Sequence, residues 1–142
     1  MRTIYRNVDW HDPITFYSQT IQHTKVARIY NNLAMSYAEK GEQQKAITMY
    51  QESIKLSDTY PQTHYNLANS YADLGDITLA ENEYYAALSK DPYFYLAYFR
   101  LFTIYKMQNN IEKQTAIINR VRGIVAENPS FQPVLLQLEQ AQ

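Results

Sequence analysis

Apolar residues return at three- and four-residue spacing along most of the chain, and each such run stops at a turn signal. From about Thr24 to Lys40, Val26, Tyr30, Leu33, Ala34 and Tyr37 mark one face of a helix that ends at Gly41. The same reading predicts a paired helix over Gln43 to Ser57. A second pair follows over Pro61 to Leu74 and Ile77 to Lys90, closed by Asp91-Pro92. A third pair takes Tyr93 to Gln108 and Asn110 to Glu127, with Asn109-Asn110 as its turn. Asn128-Pro129 ends that pair. Gln132 to Gln140 then carries Val134, Leu135, Leu136 and Leu138 among glutamines, a last helix with a polar back suited to closing an apolar end. Upstream, Asp12 is a good N-cap and Pro13 fits the first helical position, so a helix is expected to about His23.

The runs repeat one another. Asn32-Leu33-Ala34-Met35-Ser36-Tyr37-Ala38-Glu39-Lys40-Gly41 returns 34 residues later as Asn66-Leu67-Ala68-Asn69-Ser70-Tyr71-Ala72-Asp73-Leu74-Gly75, with Ala46 answered by Ala80, Tyr50 by Tyr84 and Ser53 by Ala87. A fixed period of this length marks a stacked helical repeat. The third copy is looser: Leu101, Phe102, Tyr105 and Asn109 stand for Leu67, Ala68, Tyr71 and Gly75, and Gln114 for Ala80. Gly41 and Gly75 are placed to end helices in the left-handed conformation. Ala46 and Ala80 are small where paired helices would cross, and Tyr37, Tyr71, Tyr50 and Tyr84 large where gaps need filling.

This pattern of Leu, small residue, Tyr, Gly, Ala, aromatic and Pro resembles the tetratricopeptide repeat over about Phe16 to Pro129. The resemblance implies an all-α solenoid of antiparallel helix hairpins wound into a superhelix, with about three repeats, a partial N-terminal repeat and a capping helix. Residues 1–142 are then one domain: an N-terminal segment 1–12, a partial repeat 13–26, repeats 27–60 and 61–94, a degenerate repeat 95–128 and a cap 129–142.

Composition narrows the function classes. Length fits one domain, and 46% hydrophobic residues suffice for a narrow continuous core. A net charge of −1 supplies no field for gathering nucleic acid, and Lys113, Arg120 and Arg122 make only a small basic patch. There is no cysteine, hence no disulfide and no thiolate chemistry. No apolar run is long enough to span a bilayer and the first ten residues lack a signal-peptide centre, so no direct membrane insertion is expected. His11, His23 and His64 lack metal-ligand spacing, and His64 aligns with Tyr30 and Tyr98 as a packed ring. Three scattered glycines build no phosphate loop. Glu39 and Asp73 occupy equivalent places in neighbouring repeats, one repeat apart and facing water, which does not suit acid-base work. No cofactor, metal or catalytic residue is expected, and the chain is read as a non-enzyme.

Ahead of the first helix, Arg6-Asn7-Val8-Asp9-Trp10-His11-Asp12 is a polar stretch around the only tryptophan. Followed by a helix, a turn and tetratricopeptide repeats, it is similar to the junction in multi-pass glycosyltransferase-like membrane proteins, on Arg6, Asn7, Asp9, Trp10 and Asp12. That likeness implies a piece of a longer protein on the periplasmic or lumenal side of a membrane. The alternative is an N-terminal cap with a buried tryptophan, and the alternative location is cytoplasmic.

A polar stripe remains outside the core. Positions i, i+4, i+7 and i+11 share a helix face: Arg28, Asn32, Met35 and Glu39; Gln62, Asn66, Asn69 and Asp73; Leu96, Arg100, Thr103 and Met107. In tetratricopeptide arrays the first helix of each hairpin lines the concave groove, which aligns Asn32 with Asn66. A carboxamide both donates and accepts, so such a row pairs with the backbone of an extended peptide of any sequence. The arrangement resembles the asparagine ladder of protein O-linked N-acetylglucosamine transferases. Arg100 interrupts it and suits a carboxylate or phosphate on the ligand. Expected peptide contacts are Asn32, Asn66, Asn69 and Arg100, flanked by Arg28, Glu39, Gln62, Tyr65 and Asp73. The alternative is that the asparagines bond to neighbouring helices. Tyr93, Phe94, Tyr95 and Phe99 crowd the start of the third hairpin and form a second surface, for self-association. A structural, self-assembling role as the soluble domain of a larger membrane protein is the competing reading.

Overall fold

A computed structural model describes residues 12–142; the junction residues Arg6, Asn7, Asp9 and Trp10, with His11, lie outside them. Among the described residues there are eight α-helices and no strand: α1 (Pro13–Thr20), α2 (Ala27–Glu39), α3 (Gln43–Leu56), α4 (Pro61–Asp73), α5 (Ile77–Lys90), α6 (Tyr95–Met107), α7 (Ile111–Glu127) and, after a 3-10 turn over Pro129–Phe131, α8 (Gln132–Ala141). Each helix packs on the next in the chain, so the architecture is an all-helical repeat solenoid.

One turn geometry closes all three hairpins. Gly41 and Gly75 have φ of 78° and 84°, and Asn109 takes the same place at 52°. In each turn the following amide reaches back to a tyrosine carbonyl at 2.9 Å: Glu42 to Tyr37, Asp76 to Tyr71 and Asn110 to Tyr105. These bonds satisfy carbonyls that the helix end would strand.

Between paired helices, Ala34 and Ala46, and then Ala68 and Ala80, are fully buried. No side-chain volume keeps these helices apart. Phe102 and Gln114 fill the corresponding places in α6 and α7, both buried, and those two helices approach less closely. Gln114 satisfies its amide on the Tyr105 carbonyl at 3.3 Å. Tyr50, Tyr84, Tyr98 and Tyr105 are buried along the stack, and Tyr71 packs against both apolar clusters, joining them. At the far end Phe131, Leu135 and Leu138 of the closing segment are buried against α6 and α7.

Boundaries shift where local bonds compete with the helix. The first helix stops at Thr20, whose hydroxyl donates to the Phe16 carbonyl at 2.8 Å, and residues 21–26 form a turn and linker. Asp12 caps it as expected: its carboxylate accepts from the Thr15 amide and hydroxyl and pairs with Lys40 at 3.0 Å. Those bonds, Thr15 first, draw its pKa down to about 2. The sixth helix opens at Tyr95 because Asp91 accepts the Tyr93 amide in a local turn. Among the described residues no helix is long and apolar enough to cross a membrane.

Candidate functional site

The stripe positions of the first two hairpins line three hollows, and those of the third hairpin line none of them. Arg28 and Gln62 line one of about 210 Å³ with Asn31, Ser53, Tyr60 and Thr63. Asn32 lines a second of about 260 Å³ with Pro13, Tyr17, Met35, Ser36 and Glu39, and its amide reaches the Tyr17 hydroxyl at 3.4 Å. Asn66, Asn69, Asp73 and Glu39 come together in a third of about 300 Å³, where α2, α3 and α4 meet. Met35 and Glu39 border both the second and the third.

In the third cleft the carboxamides are each held by one arm. Asn66 Oδ1 accepts from Gln62 at 3.0 Å, while its Nδ2 is buried with no partner. Asn69 Oδ1 accepts from the Tyr84 hydroxyl at 2.6 Å, and burial pushes that phenol up to about 12, so it stays a donor at neutral pH. Gln43 donates to Asp73 at 3.0 Å and leaves its own Oε1 buried and unpaired. A donor and an acceptor without partners in one cleft are uncommon, because an unpaired buried polar atom costs about 1–3 kcal/mol.

The remaining expected contacts are more committed. Tyr65 is largely buried, packed edge-on to Phe94 at 5.3 Å, and its hydroxyl accepts from Arg100 at 3.3 Å. That bond, ahead of other influences, raises the Arg100 pKa. The aromatic group at the third hairpin splits: Phe94 and Phe99 pack against the core, whereas Tyr93 and Tyr95 are 45% and 48% exposed. The basic patch is largely engaged, with Lys113 on Glu81 at 3.1 Å, Arg122 on Glu139 at 2.7 Å, and Arg120 over the rings of Tyr85 and Tyr98.

His64 is buried, as expected of a packed ring, but also bridges two carboxylates that sequence reasoning missed. Its Nδ1 meets Glu83 at 2.7 Å and its Nε2 meets Asp58 at 2.6 Å; Asp58 in turn holds Lys90 at 2.8 Å. Two acceptors favour the doubly protonated ring, so the His64 pKa is raised, chiefly by Glu83 and then Asp58, against the opposing effect of burial. Gln43, Tyr50 and Ser70 were also missed, since they reach the cleft from off the stripe. For Gln43 a signal existed: Ile77 and Ile111 hold its repeat position. Among the described residues no group of three potential metal ligands occurs.

Comparisons with known proteins agree with the helical-repeat fold. A family model described as TPR repeat matches residues 34–75, and one described as Tetratricopeptide repeat matches residues 61–94. Tetratricopeptide repeats are thus detected within residues 34–94. The family matches do not reach the junction at Arg6 to Asp12. No curated protein matches the chain in sequence. The crystal structure of MamA is similar with a TM-score of 0.69, covering 90% of this chain and 87% of that one at 14% identity. The TPR domain of Arabidopsis OM64 is similar at 0.60, covering 80% and 94% at 18% identity. At these identities the likeness establishes the fold.

Proposed function

We propose that this tetratricopeptide domain is a protein-interaction module whose first helices, α2, α4 and α6, take up an extended peptide segment of a partner. Tetratricopeptide domains are in general non-enzymatic modules of this kind, which supports the coarse reading. The observation that carries the finer one is Asn66, anchored through Oδ1 with Nδ2 left unpaired in the cleft between α2 and α4. A peptide carbonyl would supply the missing acceptor once Nδ2, itself buried, turns out into the cleft. Asn32 lies one repeat away beside the adjoining hollow, so the two asparagines are spaced to hold successive stretches of one strand. Each such bond contributes about 1 kcal/mol net.

The test is a peptide array probed with the parent domain and with an Asn32→Ala/Asn66→Ala variant, both checked for equal helicity and melting temperature. Binding by the parent and its loss in the folded variant is the expected result. Equal binding by both would make the asparagines structural and turn attention to Tyr93 and Tyr95, the exposed pair that favours self-association as the second reading. Sedimentation across concentration reads that alternative directly.

A further inference from the structure

We infer that the cleft between α2, α3 and α4 is a subsite for a basic side chain, so that the preferred partner segment carries a lysine or arginine where it crosses Glu39 and Asp73; this rests on the peptide-binding reading above. Both carboxylates line the cleft, along with Met35, Asn66 and Asn69. Among the described residues no cation lines it, and neither carboxylate takes part in an ion pair.

The cations nearby in sequence are committed elsewhere. Lys40, next to Glu39, pairs with Asp12 at 3.0 Å, and Lys45 pairs with Glu42. The Asp73 charge is among the lesser influences that raise the Arg100 pKa, yet Arg100 donates to Tyr65 rather than forming an ion pair. What Asp73 does receive is a neutral hydrogen bond from Gln43.

Position adds a second argument. Glu39 and Asp73 are the last residues of α2 and α4. Helix C-termini carry partial negative charge, so an acid there is unfavourable for the fold and a cation favourable. A ligand ammonium or guanidinium placed between the two helix ends would meet two carboxylates and two helix dipoles of matching sign. The two unpaired amide atoms are buried beneath the cleft surface, and turning outward would give Asn66 Nδ2 a backbone carbonyl of the segment and Gln43 Oε1 one of its N–H groups. Aliphatic stems of Lys or Arg have Met35 and Ala38 to lie on.

The experiment uses the full chain and pools of fluorescent ten-residue peptides, degenerate in Ser, Ala, Thr and Val except for one fixed Lys, Arg, Ala or Glu. Lys and Arg pools should bind about tenfold tighter than Ala pools, with Glu pools weakest and the difference shrinking with added salt. A Glu39→Gln/Asp73→Asn variant should melt at or above the parent and bind the Lys, Arg and Ala pools alike, the basic preference being lost. Glu39→Lys should invert it toward Glu. Equal binding of all pools by the parent, or a double variant that keeps the preference, overturns the inference while leaving the peptide groove standing. No binding of any pool, or undiminished binding of every pool by Asn32→Ala/Asn66→Ala, removes the groove reading and the inference with it.

Discussion

His64 shows how a single position can keep its place in the repeat and change its chemistry. Its register partner Tyr98 donates its hydroxyl to the Pro92 carbonyl, six residues back, at 3.0 Å; His64 likewise reaches six residues back, to Asp58. Both side chains tether the linker that precedes their helix. Only the histidine adds charge, between Asp58 and Glu83 with Lys90 beyond. Because its folded pKa is raised above the ordinary 6.5, its stabilisation is complete below that value and is lost as pH rises through the folded value. Asp58, held down first by Lys90 and then by His64, gives the opposite limb: its contribution is present above the ordinary 3.8 and fades as pH falls through its lowered value. The melting temperature should therefore fall as pH rises above the ordinary histidine value of 6.5, and His64→Tyr should flatten that slope. A parent protein with no slope over that range would show that the ring is neutral in the fold. Burial of position 64 was legible from its alignment with tyrosines; the carboxylates were not, because Asp58 and Glu83 lie on different elements and share no period with it.

At the scale of the element, hairpins were the most legible feature. A three- and four-residue apolar period, Gly41 and Gly75 at the turns and Pro61 at a helix start are local signals, and local backbone physics determines them. Sequence also showed that the third hairpin departs from the others. Why it tolerates Phe102 and Gln114 is a packing matter: α6 and α7 stand farther apart, and Gln114 finds the Tyr105 carbonyl. Ala80→Gln, which puts that glutamine into the second hairpin, should consequently lower stability by about 1–3 kcal/mol. Chemical denaturation with an unchanged slope would measure it. A neutral result would mean that α4 and α5 separate as readily as α6 and α7.

For the whole molecule, stability is shared along a stack in which each hairpin covers the next. The closing segment matters most at the end it covers. Phe131 meets Tyr98 and Tyr93 edge-on at 6.3 and 6.0 Å, and Leu135 and Leu138 are buried. Truncation after Asn128 should expose the apolar face of α7, lower the melting temperature and promote aggregation, seen by calorimetry and light scattering. A truncated chain that melts like the parent and stays monodisperse would deny the segment its capping role. The candidate site also belongs to this scale. The amino-acid sequence by itself determined the helices, their turns, the period and the stripe that carries Asn32, Asn66, Glu39 and Asp73, because all of these follow from spacing along one chain. Tertiary structure alone decided that Gln43, Tyr50 and Ser70 join Asn66, Asn69 and the two carboxylates around one cleft. It also decided which arm of each amide is already paired. The physical reason is that a hydrogen-bond partner across helices depends on how closely those helices pack, and no period along the chain encodes that distance.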